Sequence, residues 1–309
     1  MPAKTINGYT LTSPFELRGS ARWAFASKNG KSWFIKEFLA PKWPMNPELL
    51  SKEEVELAKQ DCHEFYKSKK ELYDRVNECW TGNIVRIEDF FRSGACYYVV
   101  TEKIPAMDIE MAEVSKEPEN VRLILLKVMT DNLRELHENQ HIVYADLRPD
   151  NILLKKTTGG ITAKLIDFDS SFLEWNQNND PPLSEKYCSP EVYDYFTQGD
   201  RRPRREYSFH RKIDVFSLGI LFHLCWTGDL PGTAGEKYVC ATVLKGKKPT
   251  LSQELPDWLK NLIAQMLQLD PNKRPDMKEV WNALQNKKFV SDDSVNFSNG
   301  FHIPKPDDF

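Results

Sequence analysis

The sequence predicts an α+β protein: a small antiparallel β lobe carrying one long helix, followed by a larger, mainly helical lobe. Three observations lead there. β-branched and aromatic runs with tight-turn signals crowd roughly the first hundred residues, one stretch free of Gly and Pro interrupts them, and helical periodicity dominates beyond about Val121.

Residues 9–36 alternate β-prone segments around Lys28-Asn29-Gly30-Lys31, the chemistry of a type I′ hairpin, whose two central residues need positive φ. After Pro41, Pro44 and Pro47, residues 48–77 are rich in strong helix formers, which predicts one unusually long helix. The runs IVRIEDFF and ACYYVVTEKI, separated by Arg92-Ser93-Gly94, predict a second hairpin that closes the small sheet. Helices are expected over 121–138, 212–226, 256–268 and 277–287, with loop and strand between the first two. The organisation expected is an N-terminal lobe over 9–104, a helical lobe over 105–288, and a Ser- and Asp-rich tail over 289–309 that is mobile or draped over the surface.

The bulk numbers narrow the class. In 309 residues, 40% are hydrophobic and 28% charged, the balance of a chain that folds around its own core. A net charge of -3 offers no electrostatic footprint for nucleic acid or an anionic membrane, so neither partner is expected. The six cysteines show no C-x-x-C spacing, which argues for reduced thiols and a cytoplasmic setting rather than a zinc site or a disulfide framework. The N-terminus has no apolar h-region, and the longest apolar run, about 215–226, is broken by Ser217 and His223. A soluble protein is expected.

The decisive segments are IVYADLRPDNILL, 142–154, and AKLIDFDSSF, 163–172. Taken singly, Asp146 and Asn151 read as turn formers and Asp167 as a strand-end cap. Together, flanked by strand-like runs, they resemble two elements of the eukaryotic-type (Hanks-type) serine/threonine protein kinases: the catalytic loop and the metal-binding D-F-G. The resemblance implies a bilobal protein-kinase-like fold and transfer of the γ-phosphoryl of ATP, with Mg2+, to Ser/Thr hydroxyls of protein substrates. It implies Asp146 as the base that orients the hydroxyl and Asn151 and Asp167 as Mg2+ ligands. Arg148, where these kinases usually carry Lys, would hold the transferring phosphoryl.

Further matches extend the resemblance over 9–284. Lys36, in Trp33-Phe34-Ile35-Lys36, resembles the lysine of V-A-I-K that positions the α- and β-phosphates. Its partner on the following helix is left unassigned: Glu64 and Glu71 are seven apart and share a face, but each reads equally as part of a solvent-facing acidic stripe. Residues 100–104 resemble the hinge, with backbone groups of Glu102 and Ile104 at the adenine edge and Thr101 as gatekeeper. Tyr187-Cys188-Ser189-Pro190-Glu191 resembles the A-P-E end of an activation segment. Asp214 resembles the residue that tethers the catalytic loop, and Arg274 the arginine that pairs with Glu191.

Three departures shape further expectations. Leu17-Arg18-Gly19-Ser20-Ala21-Arg22 keeps one glycine, Gly19, of the phosphate-covering G-x-G-x-x-G, so Arg18 or Arg22 is expected to compensate by contacting phosphate. Tyr144-Ala145-Asp146 replaces H-R-D, removing the arginine that receives an activation-segment phosphate. Asp169 replaces the glycine of D-F-G, which predicts a stiffer metal loop. Ser184 matches the hydroxyl that hydrogen-bonds both the catalytic aspartate and Arg148. Arg201-Arg202-Pro203-Arg204-Arg205 reads either as a grip for an acidic or phosphorylated partner or as a solvated loop. The departures keep a pseudokinase, acting as scaffold or regulator, as the alternative. A small-molecule phosphotransferase shares the loop's Asp and Asn but is not expected to carry the Ser189-Pro190-Glu191, 214–219 and Arg274 set.

Overall fold

A computed structural model of the chain describes residues 4–18, 21–104, 109–157, 159–176, 180–198 and 209–287. Gly19, residues 201–205 and the tail 289–309, all singled out above, lie outside the described residues. The chain divides into two compact units, Met1–Glu78 with Val85–Pro105, and Cys79–Ile84 with Ala106–Phe309.

The first unit is built on a seven-stranded antiparallel sheet. Its strands are β1 (Thr5–Ile6), β2 (Tyr9–Leu11), β3 (Glu16–Arg18), β4 (Ala21–Lys28), β5 (Lys31–Phe38), β6 (Ile87–Ser93) and β7 (Cys96–Glu102), ordered β1-β2-β4-β5-β7-β6 with β3 also on β4. Asn29 and Gly30 join β4 to β5 with φ of 55° and 75°, as their turn chemistry requires. Asn7 and Gly8, with φ of 48° and 82°, join β1 to β2 in the same way, adding a hairpin ahead of the expected start.

Register sorts the side chains onto two faces. Ala24, Ala26, Ile35, Tyr98 and Val100 share one, closed by Ile6 and Tyr9 of the first hairpin. Trp23, Phe25, Phe34, Lys36 and Val99 share the other. Helix α1 (Lys52–Glu78) packs on this second face, where Phe65 lies 5.2 Å from both Phe38 and Tyr97 and Tyr73 lies 5.1 Å from Phe90. It starts later than the composition predicts because Ser51 Oγ accepts from Glu54 N at 3.2 Å while the Glu54 carboxylate accepts from Ser51 N at 2.8 Å, a reciprocal cap that fixes the first turn. Pro47–Leu49 form a separate 3-10 turn.

The second unit packs α2 (Glu119–Arg134), α3 (Pro190–Gln198), α4 (Lys212–Thr227), α5 (Val239–Leu244), α6 (Asp257–Met266) and α7 (Met277–Gln285). The expected 121–138 helix is α2 followed by a wider π turn, Glu135–Asn139. Every residue of α4 from Ile213 to Trp226 is buried, so this is the central helix, apolar all round. Gly219 is required there: a Cβ would sit 2.9 Å from Met266 Cβ on α6. α3 and α5 span too few turns to announce themselves by periodicity. Two short ladders complete the unit, β8 (Ile142–Val143) with β11 (Phe172–Leu173), and β9 (Ile152–Thr157) with β10 (Gly160–Leu165). They clamp the ends of the two loops, 144–151 and 166–171, that carry the chemistry-bearing residues.

Candidate active site

Asp214, 1% exposed in the first turn of α4, organises the first of those loops. Its Oδ2 accepts from Tyr144 N at 2.8 Å and from His137 Nε2 at 2.9 Å, and its Oδ1 accepts from Ala145 N at 2.8 Å. Ala145 sits at φ +69°, a left-handed conformation that costs a non-Gly residue about 1–3 kcal/mol and persists only where its surroundings hold it. The two bonds from consecutive backbone N–H groups to one carboxylate supply that hold. Tyr144 is fully buried and its phenol donates to the carbonyls of Ile166 and Asn151, bridging the two loops. Burial, and then the carboxylates of Asp167, Asp146, Asp214 and Asp169, push that phenol well above its ordinary value, so it stays a donor.

Asp146 follows Ala145 directly. Its Oδ1 accepts from Ser184 Oγ at 2.6 Å, and its Oδ2 and backbone carbonyl accept from Asn151 Nδ2 at 2.9 and 3.0 Å. The carboxylate is thus aimed by one hydroxyl and one amide, while Asn151 spends its amide hydrogens inward and keeps Oδ1 as an acceptor. Arg148 does not share Ser184 as the sequence suggested. It pairs with Asp150 two residues on, and its Nε–H is buried without an acceptor. Tyr187 lies alongside; burial and Asp150 push its phenol up while Arg148 pulls it down.

Asp167 belongs to the second loop, brought beside the first by Ile166 N donating to Asn151 O at 3.0 Å. It is Asp167, at φ +63°, and not Asp169 that takes the left-handed position. Asp169 N donates to Asp167 Oδ1 at 3.3 Å, so the residue replacing glycine contributes a backbone bond to the metal loop. Among the described residues no group of three His, Cys, Asp or Glu side chains is arranged to hold a metal ion. A single carboxylate plus the Asn151 amide oxygen is a sparse, hard, oxygen-only donor set. That fits Mg2+, which keeps several waters and draws other ligands from phosphate oxygens.

In the first unit, Lys36 stands on β5 opposite Trp23 of β4 and Val99 of β7. Phe34, two residues earlier on the same face, takes the place of the small alanine of V-A-I-K; its ring lies 5.5 Å from Trp23 and 6.3 Å from Phe25. The strand period and the hairpin register together carry the signal for this aromatic group, since they set Trp23, Phe25, Phe34 and Lys36 on one face. Glu102 ends β7 opposite Trp33, with Thr101 opposite Phe34 and Ile104 two residues beyond.

The expectation that Arg22 contacts phosphate is corrected. Arg22 lies on the face opposite Lys36 and forks onto Glu37, which is 1% exposed and also accepts from Tyr98 OH at 2.8 Å. A buried carboxylate demands that partner. Glu64 and Glu71 are both exposed, Glu64 accepting from Gln60 Nε2 at 2.9 Å; the buried charged residue of α1 is Lys69.

The activation-segment end is anchored as the resemblance implied. The Arg274 guanidinium, buried on α4's flank, forks onto Glu191 at 2.7 and 2.8 Å and also donates to the carbonyls of Gln268, Lys212 and Leu269.

A loop tethered by a buried aspartate, an aimed carboxylate, a neighbouring amide and a D-F-type turn define a phosphotransferase architecture. The protein kinase domain model matches residues 53–285, and the chain belongs to that family. Among relatives, it is 27% identical over 207 residues to the ovarian-specific serine/threonine-protein kinase Lok of Drosophila melanogaster, covering 64% of this chain and 41% of that one. It is 28% identical over 205 residues to the serine/threonine-protein kinase ppk25 of Schizosaccharomyces pombe, covering 64% of this chain and 45% of that one. The chain therefore spans less than half the length of either relative.

Proposed function

We propose that the chain is an active serine/threonine protein kinase that moves the γ-phosphoryl of Mg-ATP to hydroxyls of protein substrates in the cytoplasm. The observation that carries this reading is the double support of Asp146 by Ser184 and Asn151, an arrangement with no structural use for a solvent-facing turn residue. Asp146 accepts the proton of the incoming hydroxyl and aligns its oxygen with the phosphorus. Asn151 Oδ1 and the Asp167 carboxylate hold Mg2+, which neutralises charge on the phosphate oxygens when bound. Lys36 steadies the α- and β-phosphates, and backbone groups of Glu102 and Ile104 meet the adenine edge. Arg148, with its buried Nε–H lacking an acceptor, stabilises charge on the transferring group. Catalysis on this reading is positional and electrostatic.

The test is transfer of label from γ-labelled ATP to a serine- and threonine-containing protein substrate or to the chain itself, abolished by Asp146→Asn. Label transfer that survives Asp146→Asn refutes the assignment. A pseudokinase is the second reading, favoured by the Trp23, Phe25 and Phe34 rings filling the Lys36 face and by the exposure of every glutamate on α1. Nucleotide binding without transfer, or no nucleotide binding at all, selects it.

A further inference from the structure

Outside the site just described, two thiols meet where the sequence placed them 52 residues apart. Cys188 Sγ donates to Cys240 Sγ at 3.9 Å, with 7% and 1% of the two residues exposed. Cys188 ends the turn that begins at Ser184: the N–H groups of Tyr187 and Cys188 both donate to Ser184 O at 2.7 Å. Cys240 sits in the first turn of α5, and its thiol also donates to Glu185 O at 3.5 Å. One end of this tight turn thus holds Asp146 through Ser184 Oγ, and the other rests on a second cysteine.

We infer that Cys188 and Cys240 are a modification site at which hydrogen peroxide forms a reversible disulfide, tethering the Ser184 turn to α5. Cys188 thiolate attacks one peroxide oxygen, the O–O bond breaks, and hydroxide leaves as water, giving a sulfenic acid. Cys240 thiolate then attacks that sulfur, the S–O bond breaks, and a second water leaves. Two thiols and one peroxide become one disulfide and two waters, the sulfurs oxidised and the peroxide oxygens reduced. Access favours a small oxidant, since burial excludes bulky disulfides from both sulfurs. The hydrogen bond to Cys240 and burial hold the Cys188 thiol protonated, so the reaction runs through a minor thiolate and is slow.

Closure brings the sulfurs from 3.9 Å to about 2.05 Å, a movement of the order of an ångström or two delivered to the turn from Ser184 to Cys188. Displacing Ser184 by that much disturbs the aim of Asp146, and misplacement of about 1 Å is enough to cost on the order of a hundredfold in rate. This second consequence rests on the kinase reading; the cross-link itself does not.

The test treats the full chain with hydrogen peroxide after removal of reductant, blocks residual thiols with a maleimide, and maps tryptic peptides without reduction. The expected product joins peptide 187–201 to peptide 238–245, lowers the intact mass by two hydrogens and disappears with dithiothreitol. Phosphoryl transfer should fall on the order of tenfold or more and recover on reduction, whereas Cys240→Ala keeps its basal rate and resists peroxide. Oxidation confined to the half-exposed Cys79 and Cys96, with no 187–201 to 238–245 product, overturns the site. Cross-linking that leaves transfer unchanged, or equal peroxide sensitivity in Cys240→Ala, overturns its effect on catalysis. Should the reduced chain transfer nothing, the kinase reading fails alone and the peptide map still decides the site.

Discussion

Replacing Asp214 by asparagine tests the support of the catalytic loop most directly. The carboxylate accepts from two consecutive backbone N–H groups and from His137, all within 2.9 Å and out of contact with water. An amide keeps one acceptor oxygen and turns the other position into a donor, so whichever way it orients, Tyr144 N or Ala145 N faces an N–H. Loss of one bond to a charged acceptor costs about 1.5–3 kcal/mol, and the stranded buried N–H adds about 1–3. Relief of the strained Ala145, worth about 1–3 kcal/mol, offsets part of this as the loop relaxes. The net expectation is a destabilisation of about 2–5 kcal/mol. Relaxation moves Asp146, the next residue, so transfer should fall on the order of a hundredfold even in the folded protein. Urea denaturation followed by fluorescence and steady-state label transfer measure the two effects. Adding Ala145→Gly, which takes positive φ without a Cβ penalty, should restore part of the stability and little of the rate. An Asp214→Asn protein within about 0.5 kcal/mol of the parent and equally active would refute the reasoning.

Three other outcomes follow from the same geometry. Arg274→Met leaves the Glu191 carboxylate and three carbonyls without their donor and should cost about 3–5 kcal/mol, seen by calorimetry as a fall in Tm of roughly 6–20 °C. Ser184→Ala should lower kcat about 10- to 100-fold with KM for ATP unchanged, because a bond to a charged carboxylate is worth about 1.5–3 kcal/mol, and Ser184→Thr should retain most of the rate. Burial pushes the Glu37 carboxyl up, yet its hydrogen bonds from Arg22 and Tyr98 outweigh that and hold it below its ordinary value of 4.5. A lowered folded pKa makes this contribution present above the ordinary value and lost as pH falls through the folded one. Stability should therefore drop more steeply on acidification below about pH 4.5 in the parent than in Glu37→Gln, as followed by thermal melts across that range.

How much of this was legible differs from element to element. The Asn29-Gly30 hairpin, α4 and the start of α7 follow from rules that act within one turn of chain, and they stand where expected. The equivalent Asn7-Gly8 signal is equally present, but its strands, only two and three residues long, are too short to show an alternating pattern. Arg22 read as a spare cation beside a glycine-poor loop. Only the register of β4 on β5 shows that it faces away from Lys36 and onto a carboxylate that the strand pattern alone would leave in water.

What the chain order settles by itself is whatever depends on near neighbours: positive-φ turns, helix periods and caps, and the compact motif in which Asp146 and Asn151 lie five residues apart. Tertiary structure alone decides which charges are buried and what they meet. Glu37 with Tyr98, Asp214 with Ala145, Glu191 with Arg274 and Cys188 with Cys240 are 61, 69, 83 and 52 residues apart. No local rule joins such residues. Desolvation, which makes each partner obligatory, exists only once distant segments have packed and excluded water.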